Sequence, residues 1–270
     1  MEKAVLYKIL QRKLKFRNPQ HLVELNKEFI YTEAEYTSAN EYLHELSKNN
    51  INYTYPEKDD YPAEFLQMKE PPLFIEYSGA PLWKYNAFIS VVGSRNMQPL
   101  SEQWLKQQFS DFVVQAGVGV VSGGANGVDQ LSHLIALKNN VPTIVVLPSG
   151  LLNLYPPTLN NFKPKEPSGN ICFLTEFEMH QKLQRSHFFI RNRLIAALGK
   201  ITLVVQATVK SGSMLTVHHC LEMGKPVLTI PAHPELCGFD GNLKLLHEGA
   251  YSVRNFKDLH EFWVAECWGN

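Results

Sequence analysis

Apolar residues recur along this chain in two rhythms, and the change between them falls near residue 85. Through the first fifty residues the spacing is helical: Val5, Leu6, Ile9 and Leu10, then Leu22, Val23 and Ile30, then Tyr42, Leu43 and Leu46, with polar residues between. A Pro- and Tyr-rich connection comes next, with Tyr55-Pro56 and Tyr61-Pro62, and ends in Pro71-Pro72. Two consecutive prolines stop a helix and stiffen the approach to a short apolar strand at 73–77. From residue 86 onward, compact Val/Ile/Leu runs alternate with amphipathic segments. The pattern predicts strands over 88–92, 119–122, 143–147, 171–175, 201–206 and 227–230, and helices over 101–115, 128–138, 191–198, 213–223 and 242–247.

Strands this apolar, without polar alternation, suit a sheet buried on both faces. A repeating strand–helix order then implies parallel strands with right-handed crossovers, a doubly wound α/β fold. The expected organisation is an N-terminal helical region over 1–50, a connecting segment over 51–85, the main α/β domain over 86–255 and a short C-terminal tail over 256–270. No internal repeat or low-complexity tract interrupts it.

Composition narrows the class. With 270 residues, 44% hydrophobic and 19% charged, the chain has the balance of a globular protein. Its four cysteines form no CxxC pair, which excludes a disulfide scaffold, a zinc ribbon and a thioredoxin-like motif. The N-terminus breaks its apolar positions with charge, unlike a signal peptide, and no apolar run approaches the roughly 20 residues of a membrane span. The expectation is a cytoplasmic protein in a reduced compartment.

Net charge is zero, with 26 basic and 26 acidic side chains, but its distribution is uneven. Residues 179–221 carry Lys182, Arg185, Arg191, Arg193, Lys200 and Lys210 and no acid. Such a stretch predicts a local positive field aimed at an anionic ligand.

In a doubly wound sheet, ligands sit beyond the carboxyl ends of the strands, at helix N-termini. There the sequence places Gly93-Ser94-Arg95, Ser122-Gly123-Gly124, Pro148-Ser149-Gly150 and Lys210-Ser211-Gly212-Ser213. Small residues let backbone amides approach a phosphate, and hydroxyls add donors. Neither GxGxxG after the first strand nor GxxxxGK[ST] is present, so hydride transfer and P-loop chemistry lose support. In the basic stretch, Phe188 and Phe189 adjoin Arg191 and Arg193, a stacking face beside guanidiniums that pair with phosphate. Two positions apart on a helix, the arginines face different ways. One is expected at the ligand and the other against protein, with Asp129 as a candidate acid.

Taken as a set, Val91-Val92-Gly93-Ser94-Arg95, Ser122-Gly123-Gly124-Ala125-x-Gly127-Val128-Asp129-x-x-Ser132-His133, Tyr155-Pro156, Phe189-x-Arg191-Asn192-Arg193-x-Ile195-Ala196, Lys210-Ser211-Gly212-Ser213 and Gly241-Asn242 followed by Gly249-Ala250 appear in one order. In these motifs, over roughly residues 51 to 255, the chain resembles the DNA-processing protein A family (DprA, also called Smf). The resemblance implies an extended Rossmann-like domain that binds single-stranded DNA and helps load the RecA recombinase onto it during natural transformation. It further implies a homodimer and no catalytic turnover; no cofactor is expected. The family's basic pocket maps onto Gly93, Ser94, Arg95, Phe189, Arg191, Lys210, Ser211 and Gly212. This chain departs from the family at Gln206, where Glu is frequent, and at Thr216-Val217-His218-His219-Cys220, where small residues are usual. About twenty residues follow Ala250, so a winged-helix-like C-terminal module is expected to be absent.

Other readings stand beside this one. Asp129 and His133 lie four apart on a helix, as an acid–base pair of an enzyme or sensor for a small phosphorylated nucleotide would. No GxSxG nucleophile motif accompanies them. His218, His219, Cys220, His233 and Cys237 cluster in sequence, but adjacent helical residues diverge by about 100° and chelate one ion poorly. The basic face of Lys3 to Arg17 is a candidate docking surface for a protein partner.

Overall fold

The computed structural model describes residues 2–14, 30–84, 87–162 and 169–268. Nine strands among them form one sheet: β1 (Asn52–Thr54), β2 (Ile75–Ser78), β3 (Phe88–Val92), β4 (Gly119–Ser122), β5 (Thr143–Val146), β6 (Ile171–Thr175), β7 (Ile201–Val204), β8 (Val227–Thr229) and β9 (Tyr251–Ser252), in the order β1-β2-β6-β5-β4-β3-β7-β8-β9. From β6 to β9 every pairing is parallel, whereas β1–β2 and β2–β6 are antiparallel. This is the doubly wound, mostly parallel α/β sheet that the alternation predicts.

Around it stand α1 (Glu2–Leu14), α2 (Glu33–Lys48), the single turn α3 (Ala63–Leu66), α4 (Pro99–Trp104), α5 (Ser110–Ala116), α6 (Val128–Lys138), α7 (Arg185–Leu198), α8 (Ser213–Glu222), α9 (Asp240–His247) and α10 (Phe256–Trp268). The helix expected over 101–115 exists as α4 and α5 joined by a π turn at Leu105–Phe109. Side chains of each strand alternate between two buried layers. Ile89, Val91, Val120 and Leu203 pack with Leu105, Phe109, Phe112 and Ile135, while Phe88, Val92, Ile144 and Val204 pack with Leu194, Ile195 and Val217. Burial on both faces is why these strands read as unbroken apolar runs.

The N-terminal helices pack directly on this sheet. Val5, Ile9, Leu43 and Leu46 join Val145, Leu147, Ile171 and Phe173 in one buried cluster. A buried ion pair fixes the contact: Lys8, fully enclosed, reaches Glu76 of β2 at 3.0 Å, and the Tyr42 hydroxyl donates to the same carboxylate at 2.7 Å. Thr32 and Glu35 form a capping box that starts α2. Leu22 and Val23 lie outside the described residues, and Ile30 is 86% exposed in an irregular segment.

The structure differs from the sequence reading at two further places. α7 begins at Arg185, six residues earlier than expected, with Gln184 at its cap: the His187 amide donates to the Gln184 carbonyl at 3.1 Å, and His187 Nδ1 donates to the Pro148 carbonyl at 3.0 Å. Glutamine is a rare cap, so the start is hard to read. Residues 256–268, expected as a tail, form α10, where Leu259 and Trp263 are buried and Trp263 meets Phe112 edge-on at 6.1 Å.

Candidate nucleic-acid interface

The strand order reverses at β3. Strands β4 to β6 follow on one side and β7 to β9 on the other, so the loops leaving β3 and β7 part and leave a crevice at the carboxyl edge. A cavity of about 360 Å³ lies there. It is lined by Gly93, Ser94 and Arg95 after β3, by Phe188 and Arg191 of α7, and by Ser211, Gly212 and Ser213 at the entrance to α8. These eight residues, all singled out in the sequence, thus share one cavity wall, although three separate segments of chain supply them.

Each segment is fixed by a specific contact. The Ser94 amide donates to the Gln206 carbonyl at 2.7 Å, and Gln206 Oε1 accepts from the Gln98 amide at 2.8 Å and the Ser101 hydroxyl at 3.0 Å. Buried Gln206 therefore ties the loop after β3 to the end of β7, and its neutral amide does so without placing a charge beside the cavity. Gly127 adopts φ +83°, and a Cβ there would run into the Ser94 carbonyl, to which the Val128 amide donates at 3.2 Å. Only glycine permits that approach. On α7, the Asn192 side chain donates to the Gly212 carbonyl at 3.2 Å and fastens the entrance of α8.

Arg191 is the electrostatic centre. It is only 4% exposed, and Nη1 donates to the Gly123 carbonyl at 2.6 Å and to the Val146 carbonyl, while Nε donates to Asn192 Oδ1 at 3.1 Å. These bonds occupy Nε and Nη1, and Arg191 lines the cavity. A Cβ at Gly123 would overlap the guanidinium. Burial lowers the Arg191 pKa to about 10, against the pull of Asp129, so the side chain stays charged at neutral pH. Asp129 also lines the cavity. Burial raises its pKa to about 6, with Arg191 and the Ala125 amide, 3.3 Å away, acting in the opposite direction.

His133 is placed differently. It is fully buried, and Nδ1 meets Thr143 Oγ1 at 2.6 Å; that hydroxyl itself donates to the Val120 carbonyl at 2.9 Å. Nδ1 must then carry the ring proton, leaving Nε2 buried without a partner. Burial and Arg191 push its pKa down to about 3. Held neutral beneath the cavity, His133 makes no acid–base pair with Asp129 at the surface.

Several candidate residues sit elsewhere than the sequence led us to expect. Ser122, Gly123 and Gly124 are buried below the cavity: the Ser122 hydroxyl donates to the Val91 carbonyl at 2.5 Å, and Gly123 serves Arg191. They shape the floor and do not form its wall. Arg193, about 200° around α7 from Arg191, donates to the Glu70 carbonyl at 2.7 Å and pairs with Glu176, so its protein partner is Glu176 and not Asp129. Lys210 is exposed at the turn tip, and Phe189 is 51% exposed outside the cavity lining. Phe188 stands half-buried with the Arg95 guanidinium 5.2 Å and the Arg191 guanidinium 6.0 Å from its ring centre, and Tyr155 edge-on at 6.0 Å. Asn192, which the motif quoted without a role, is the residue that the helical spacing from Phe188 could have assigned to the same face.

Elsewhere, His218 and His219 both lie near Glu222, and no group of three metal-ligating side chains gathers among the described residues. No helix among them is long and apolar enough to cross a membrane.

The Smf protein of Synechocystis sp. is 30% identical over 223 residues, 81% of this chain, and the chain spans 56% of that protein's length. The structure of DNA processing protein A from Streptococcus pneumoniae shares the fold, with a TM-score of 0.75 at 24% identity over 95% of this chain and 92% of that one. The protein of the same name from Helicobacter pylori, whose structure describes a unique single-stranded DNA binding mode, gives a TM-score of 0.70 at 27% identity over 80% and 97%. The family model for DNA recombination-mediator protein A matches residues 52–264, which hold every cavity residue, and the chain belongs to that family.

Proposed function

We propose that this chain is a non-enzymatic recombination mediator that holds single-stranded DNA in the crevice between β3 and β7. The observation that carries the reading is a half-buried aromatic ring flanked by two guanidiniums, at the N-terminal end of a helix, in the cavity where a doubly wound sheet receives its ligand. Phe188 offers its face only to an unpaired base, which selects single strands over duplex. Arg95 and Lys210 supply charge to the backbone, and the turn of Ser211, Gly212 and Ser213 supplies amides and hydroxyls. Burial holds His133 in its neutral form. Such binding is nearly indifferent to sequence, since phosphates are alike and every base has a π-face.

The single-stranded DNA binding described for the Helicobacter pylori protein supports the same assignment here. By family membership we extend it to loading of RecA during natural transformation, to a homodimer that grips one strand at two points, and to action in the cytoplasm. The direct test is fluorescence anisotropy with a labelled oligo-dT and the matching duplex. Tighter binding of the single strand supports the proposal, and equal or absent binding of both contradicts it. Sedimentation at micromolar concentration tests the dimer, and a strand-exchange assay with RecA tests the loading.

A further inference from the structure

The chemistry along one wall of the cavity defines what it holds more narrowly than a strand of DNA. This step rests on the reading of the cavity as the strand site. Phe188, Arg191, Asn192 and Ile195 occupy positions i, i+3, i+4 and i+7 of α7 and form one face, all lining the cavity. At the start of that face is the Phe188 ring, with the Arg95 and Arg191 guanidiniums 5.2 Å and 6.0 Å from its centre. One turn further, about 6 Å along the axis, Asn192 fastens the turn into α8. At this polar end Ser211 Oγ is buried and without a hydrogen-bond partner. At the entrance to α8 the Met214 and Leu215 amides already donate to the Ser211 and Gly212 carbonyls at 3.2 Å, and Arg191 lines the same cavity. An enclosed hydroxyl without a partner is costly by itself and is satisfied by an oxyanion. The volume of about 360 Å³ lies near the lower end of ligand pockets, roughly 300–1,000 Å³, room for one nucleotide and not for several.

We infer that the cavity binds one nucleoside 5′-monophosphate unit, with its base against Phe188 and its phosphate at Ser211, beside the Arg191 guanidinium, so that a free nucleoside monophosphate enters the same place and competes with the strand. A DNA strand then delivers one nucleotide into the crevice and lays its neighbours along the exposed Lys210 and Phe189. The carboxylate of Asp129 lies in the same wall as Arg191 and opposes anions there.

The test uses the full chain, a labelled oligo-dT, and dTMP, thymidine and inorganic phosphate as competitors, with thermal stabilisation by each competitor measured in the absence of DNA. The expected result is that dTMP displaces the oligonucleotide competitively and raises the melting temperature at concentrations about tenfold below those that thymidine or phosphate needs, as two joined subsites predict. Ser211→Ala, which removes no other group's hydrogen bond, weakens dTMP and phosphate alike and leaves thymidine unchanged. Phe188→Ala weakens dTMP and thymidine by about tenfold, the contribution of one stacked base, and spares phosphate. If the oligonucleotide binds but dTMP neither displaces it nor stabilises the protein, the inference fails while the strand reading stands. Phosphate matching dTMP reduces the cavity to an anion site and also overturns the inference. Stabilisation by dTMP with no oligonucleotide binding keeps the mononucleotide site and overturns the strand reading.

Discussion

Arg191 serves two carbonyls, one amide oxygen and a carboxylate from a position almost closed to water. Removing it leaves Gly123 and Val146 unpaired and Asp129 buried without its cation. Arg191→Met is expected to destabilise the free protein by about 3–5 kcal/mol, measured by urea unfolding. Asp129 gives a pH signature of definite sign. The folded protein takes up its proton near pH 6, while an ordinary aspartate does so near pH 3.8. In that interval the folded state binds more protons than the unfolded chain, so this group's contribution falls as pH rises from about 4 to 6. Asp129→Asn is expected to flatten that decline, and melting temperatures of both proteins from pH 4 to 7 check it; an unchanged profile contradicts the burial argument. At this scale the sequence was informative about residue types and less so about their partners. The motif carried Arg191, Asp129 and Arg193, and helical spacing separated the two arginines. That Arg193 meets Glu176 depends on how α7 crosses β6, and no local pattern records a crossing.

At the scale of elements, α7 is the part that sets the cavity. Its N-terminal turn brings Phe188 to the opening, its middle brings Arg191 and Asn192, and Ser90 of β3 donates to the Ile195 carbonyl at 2.7 Å to hold it on the sheet. Its C-terminus is closed by Lys225, whose ammonium donates to the carbonyls of Ala196 at 3.2 Å, Ala197 and Gly199 at 2.9 Å. Burial at that site lowers the lysine's pKa to about 8. Lys225→Met is expected to cost about 1–2 kcal/mol and to raise amide exchange in the last turn of α7 first. The loop after β3 depends similarly on Gly127. Gly127→Ala is expected to cost about 1–3 kcal/mol and to weaken DNA binding through displacement of Ser94 and Arg95, visible together in unfolding and anisotropy. Most core strands were legible because both of their faces are buried. The short strands β1 and β9, with two or three residues each, carry too little pattern to stand out, and α7's glutamine cap hid its first six residues.

The molecule as a whole is built around one sheet. The two N-terminal helices cover β5 and β6, and the enclosed Lys8–Glu76 pair lies under them. A protein lacking residues 1–50 is therefore expected to expose Phe74, Val145, Leu147 and Phe173, and to lose its cooperative thermal transition or to bind hydrophobic dyes. A sharp transition in that variant contradicts the packing account. The alternation of apolar runs made the architecture readable, since it follows from burial and handedness. The charge balance was less direct: of the six basic residues in 179–221, Arg191 is buried, Arg193 pairs with Glu176, and Lys200 lies 4.0 Å from Glu64. The field at the crevice is thus more local than the sequence count implies, and it falls chiefly to Arg95, Arg191 and Lys210.

Whether that local field holds a DNA strand is read from salt dependence. Oligo-dT affinity is followed over a salt series for the wild-type protein and for the Arg95→Ala/Lys210→Ala variant. A strand in the crevice gives a linear log–log dependence with a slope of about −0.7 for each phosphate neutralised, and a shallower slope with weaker binding in the variant. Single-strand binding that keeps its affinity and its slope when both cations are removed contradicts this and places the DNA elsewhere on the protein.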